Sequence, residues 1–159
     1  MKNRFTARVF LLATGILFSG LSFCQITSIT ITPDSTQKFR VYLLTAQKLS
    51  ILDKWDDATD TLLSVNAPGA SKIIQSGKWV LLSGRVETGC AKHAGEKGKT
   101  MKIVFYNKGK QLYEIVLVKS YQKDINALCN YINGLLSAKP DFRIRYDFEI
   151  YKNWENDCK

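Results

Sequence analysis

From Phe142 to Tyr151 the chain alternates without a break: Phe142, Ile144, Tyr146, Phe148 and Ile150 are apolar, and Arg143, Arg145, Asp147 and Glu149 stand between them. Only a strand with one buried and one solvated face has that period, so a strand over 142–151 is expected. Ile26, Ile29 and Ile31 among threonines predict an entry strand closed by Pro33-Asp34-Ser35, and Lys38 to Leu44 predict a second. Ile51, Leu52, Trp55, Ala58, Leu62 and Val65 fall at helical spacing behind a capping pattern, Ser50 to Asp53, so a helix over 51–65 is expected, ended by Ala67-Pro68-Gly69.

Lys72 to Gln75 and Lys78 to Glu87 flank Ser76-Gly77, and Met101 to Tyr106 and Gln111 to Lys119 flank Asn107 to Lys110, which predicts antiparallel strands. Ser120 can cap a second helix carrying Tyr121, Ile125, Leu128, Ile132, Leu135 and Leu136 on one face, stopped by Lys139-Pro140-Asp141. Together these elements predict a single α+β domain over 25–159: a mostly antiparallel β-sheet with two helices packed on one face.

Residues 1–24 have a different pattern. Lys2, Arg4 and Arg8 precede the apolar run Val9 to Phe18, which extends to Phe23. This is the layout of an N-terminal export signal peptide, and the run is short of the roughly 20 residues that span a bilayer. Ser22 and Cys24 are small residues at the positions signal peptidase reads, so cleavage before Gln25 is expected and the domain is secreted or periplasmic. The alternative is a membrane-anchored lipoprotein. Leu21-Ser22-Phe23-Cys24 resembles a lipobox, with lipidation on Cys24, although Phe23 is large where the pattern wants a small residue.

Composition bounds the rest. The chain has 159 residues, of which 45% are hydrophobic and 23% charged, which suits one globular domain and excludes a disordered chain. Its net charge is +9, and removing residues 1–24 lowers this to +6 by taking away Lys2, Arg4 and Arg8 with no acid. Residues 85–123 alone carry that surplus: Arg85 and eight lysines against Glu87, Glu96 and Glu114. If the strands there run up, down and up, the loop 88–100 meets Ser120 at one end of the sheet. Lys92, Lys97, Lys99, Lys119 and Lys123 would then gather beside helix amides, a setting that favours an anionic envelope component or a protein carboxylate cluster. An extracellular compartment argues against nucleic acid.

No motif completes a catalytic or metal signature. Gly95 to Thr100 has the end of a phosphate loop, but His93 stands where that motif needs glycine, and a strand follows where it needs a helix. Cys90 and His93 are neighbours that could pair a thiolate with an imidazole, yet neither a haem nor a zinc ligand set is present, so no cofactor and no metal are expected. Asp53, Asp56 and Asp57 suit the first turns of the expected helix, and with Asp60 they read as its solvated face. Trp55, Trp79 and Tyr106 lie on apolar-patterned elements and are expected in the core. Of the cysteines left after cleavage, Cys129 belongs to the buried helix face, and the topology brings Cys158 toward Cys90 for a disulfide.

The reading that emerges is a small exported non-catalytic binding protein, of which an inhibitor or immunity-type protein is one form. A structural envelope subunit anchored through Cys24 and an enzyme using Cys90 and His93 are the alternatives. Intact mass of the exported protein is expected to place its first residue at Gln25, an acylated Cys24 being heavier by its lipid. Peptide mapping without reduction should join Cys90 to Cys158 and leave Cys129 unpaired.

Overall fold

A computed structural model describes residues 25–33, 40–55, 58–87, 100–118 and 122–144. Seven strands form one sheet: β1 (Ser28–Thr32), β2 (Arg40–Thr45), β3 (Lys48–Trp55), β4 (Ala58–Asn66), β5 (Gly84–Glu87), β6 (Thr100–Asn107) and β7 (Lys110–Val118). Their order is β4-β3-β2-β1-β6-β7-β5, and every pairing is antiparallel except that of β5 with β7. Among the described residues two helices, α1 (Ala70–Ser76) and α2 (Lys123–Leu135), accompany the mostly antiparallel sheet in an α+β domain.

Alternation explains why the strands settle in this register. Leu63, Ile51, Tyr42, Ile31, Ile103 and Ile115 follow one another across the sheet as cross-strand partners, and Val65, Leu49, Leu44, Ile29, Phe105 and Tyr113 form the next rung. These two rungs share a face because side chains two residues apart in a strand point the same way. From Ile51 to Ile115 the first rung is fully buried. At the β6–β7 turn Asn107 pairs with Lys110, and Lys108 and Gly109 take positive φ (46° and 83°), the conformation that lets a two-residue turn match the strand twist.

Four expectations are corrected. The stretch 51–65 is the β3–β4 hairpin: Ile51 and Leu63, and Leu49 and Val65, fit a two-residue period as well as a helical one, and Thr59 and Thr61 favour a strand. Asp53 and Asp60 therefore face each other across two strands rather than lining a helix N-terminus, with Arg40 beyond Asp53 in register, while residues 56–57 lie outside the described residues. The stretch 72–75 lies within α1, which buries Ala70 and Ile74 four residues apart after a left-handed Gly69 (φ 80°). The stretch 78–87 is a strand only at β5, preceded by a 3-10 turn over Trp79–Leu82. Finally, Phe142 belongs to a 3-10 turn (Pro140–Phe142), and the remainder of the expected last strand, 145–151, lies outside the described residues.

The core joins the buried sheet face to both helices. Ile125, Leu128, Cys129 and Ile132 from α2, Ala70 and Ile74 from α1, and Trp79 share one apolar cluster with the rung residues. The Cys129 thiol lies 3.9 Å from the Met101 sulfur, which fixes α2 over β6 at that point. Beyond α2 the chain is tied down by polar contacts. Asn133 donates to the Ile144 carbonyl at 3.2 Å and accepts from its N–H at 2.8 Å, and the Tyr42 hydroxyl donates to the Phe142 carbonyl.

Gly77 holds a particular place in this packing. Its φ of −76° suits any residue, but a Cβ there would lie 2.0–2.6 Å from ring atoms of Trp79. The indole is rigid and nearly fully buried, so the clash cannot be relieved by a flexible chain end. Gly77→Ala is expected to lower unfolding free energy by about 2–3 kcal/mol and to alter the near-ultraviolet circular dichroism of Trp79. Unchanged denaturation and dichroism would show that the ring does not depend on this gap.

Candidate functional site

The backbone creates a groove where the chain crosses from α1 to β5. Gln75 donates to the Ile26 carbonyl at 2.7 Å and so ties α1 to the segment entering β1. That segment is fixed in turn by the Thr27 N–H, which donates to the Tyr106 carbonyl at 2.8 Å, and by the Lys108 N–H, which donates to the Thr27 hydroxyl at 2.8 Å. After Gly77, the Lys78 N–H donates to Asp124 Oδ2 at 3.2 Å, which links the crossing to the first turn of α2.

Trp79 is held from several sides. Its indole N–H donates to the Ile74 carbonyl at 2.7 Å, and its ring lies 5.2 Å from Phe105, which stacks at 4.7 Å on Tyr113. Offset aromatic contacts of this kind add to the effect of burial. The resulting groove has a volume of about 740 Å³. Ile74 and Trp79 form its apolar floor, while Ile26, Leu81, Leu112 and Tyr113 contribute to its walls. Leu81 is 79% exposed, and its side chain continues the apolar lining outward to the surface. Lys78 is the single residue of formal charge in the lining.

The sequence-predicted anion site is placed only in part. Glu87 and Thr100 both pair with Val118, so the sheet brings the ends of the segment 88–99 together with the exit of β7. Lys123 is exposed and opens α2. Lys92, Lys97, Lys99, Lys119 and Ser120 lie outside the described residues, as do Cys24, Cys90, His93 and Cys158. The residue at the cap position of α2 is Gln122, in extended conformation, rather than Ser120. Lys102, counted in the basic surplus, is neutralised by Glu114 at 3.0 Å. Trp55 is 56% exposed instead of buried, at the end of the β3–β4 hairpin.

Sequence reasoning placed Trp79 in the core but missed the groove. The signal was present: Trp79 to Leu82 is a continuous apolar run, which does not suit a strand with a solvated face. Among the described residues no helix is long and apolar enough to cross a membrane, and no group of three or more His, Cys, Asp and Glu is arranged to hold a metal ion.

Cys129 behaves as a core residue. Burial pushes its thiol up to about 12, because the thiolate would lose its hydration among apolar neighbours. It is unpaired, as expected for the buried helix face. In the native protein Cys129 is expected to resist alkylation by iodoacetamide at mildly alkaline pH and to react only as the domain opens, a rate that peptide-resolved mass spectrometry follows against denaturant. Labelling at the speed of an exposed thiol would contradict this.

Comparison with known protein families, with curated proteins and with solved structures finds no match for this chain, so its functional reading rests on the groove and the sequence.

Proposed function

We propose that this is a small exported, non-catalytic binding protein that engages a protein or an anionic envelope component through the groove beside Trp79. Export is supported by the charged and apolar pattern of residues 1–24. The observation that carries the binding reading is the continuity of Leu81, 79% exposed, with Ile26, Leu112 and the buried Ile74 and Trp79 in one mainly apolar groove. Leaving a large apolar side chain in water forgoes about 1.5–3 kcal/mol of burial, a cost that contact with a ligand recovers.

The competing reading places the contact at the basic end. It is favoured by the pairing of Glu87 and Thr100 with Val118, which holds the two described residues that flank the lysine-bearing segment 88–99 beside the exit of β7. The two faces respond to different substitutions. With the exported protein immobilised and exposed to solubilised native envelope, Leu81→Asp is expected to weaken retention of the bound component about tenfold while leaving the circular dichroism unchanged. The combined change Lys92→Ser, Lys97→Ser and Lys99→Ser should have little effect. Loss of retention in the lysine variant alone would move the contact to the basic end and overturn the groove reading.

A further inference from the structure

We propose that the groove accepts the apolar tail of a single-chain anionic amphiphile, with the anionic head at Lys78; this rests on the reading of the groove as the contact face. Three observations converge on that chemistry. The volume of about 740 Å³ is of small-ligand size. Second, two donors of the lining are spent within the protein: the Gln75 amide nitrogen on the Ile26 carbonyl, and the Trp79 indole N–H on the Ile74 carbonyl. A neutral polar ligand such as a sugar would find few donors. It would also lack an aromatic platform, since Trp79 is only 3% exposed and Tyr113 is stacked on Phe105.

The third observation is charge. Among the described residues Lys78 carries the one ionic side chain of the lining, it is exposed, and no described carboxylate pairs with its ammonium. Asp124, the nearest acid in the hydrogen-bond pattern, accepts from the Lys78 backbone N–H and does not line the groove. An ammonium at the edge of an apolar trough matches a carboxylate, sulfate or phosphate carried on a hydrocarbon chain.

Calorimetric titration of the exported protein with decanoate, below its micellar range, and with the neutral decanol tests this. Decanoate is expected to bind saturably at one site, with decanol weaker by about fivefold, the scale of an exposed ion pair. Lys78→Gln should bring decanoate down to the affinity of decanol without changing decanol itself. Absence of saturable decanoate binding, equal affinities for the two ligands, or an unchanged Lys78→Gln variant would each overturn the proposal. If decanoate fails while Leu81→Asp still releases a retained protein, the groove is a protein-contact face and only this inference falls. If both fail, the groove reading falls with it.

Discussion

Two rows of apolar side chains crossing the sheet constrain everything else in the molecule. Ile51, Tyr42, Ile31, Ile103 and Ile115 must leave water together with Leu49, Leu44, Ile29 and Phe105, and none can do so alone on an open sheet. Each such side chain is worth about 1.5–3 kcal/mol when fully buried, so a slip of one residue, which turns the row into solvent, is strongly disfavoured. The same rows require cover. Ile125, Leu128 and Ile132 of α2 and Ile74 of α1 supply it, and the polar ties of Asn133 and Tyr42 fix the chain that follows α2.

The groove is a by-product of that cover. β4 and β5 stand at opposite ends of the strand order, so the chain cannot pass between them by a tight hairpin and crosses by way of α1. The crossing is short, and Trp79 anchors it by filling the space that Gly77 leaves without a Cβ. The indole is seated against Phe105, and two residues on, Leu81 stands outside, 79% exposed. The packing of the core thus continues into an apolar wall at the surface, the feature on which the proposed binding rests.

What could be read from the sequence depended on whether a local period had one interpretation or two. Ile29 and Ile31, the Asn107 to Lys110 turn, and the α2 face of Ile125, Leu128 and Ile132 admit only one, and strands β1, β6 and β7 and the second helix stand where the pattern puts them. The stretch 51–65 admits two. Ser50 to Asp53 imitates a helix cap, and the choice falls to a hairpin because Tyr42 and Leu44 need Ile51 and Leu49 beside them. That demand comes from residues distant in the chain and cannot be seen in a local window. The groove escaped for a related reason: its floor is drawn from α1 and the crossing, and its walls from β7 and the segment before β1.

The competition between the two basic features can be argued from Asp124. A helix N-terminus attracts an anion because its first amides lack partners, and an acidic side chain in the first turn already answers part of that attraction. α2 carries such a residue in Asp124, whose carboxylate is further engaged by the Lys78 N–H. The start of α2 therefore offers an incoming anion less than the lysine count of residues 85–123 implies. Lys78 differs: it stands exposed beside an apolar trough, with no described carboxylate on its ammonium. Of the two, the groove joins a cation with no described carboxylate on it to apolar surface in one place, and the ligand proposed for it would be selected by both halves of its chemistry rather than by charge alone.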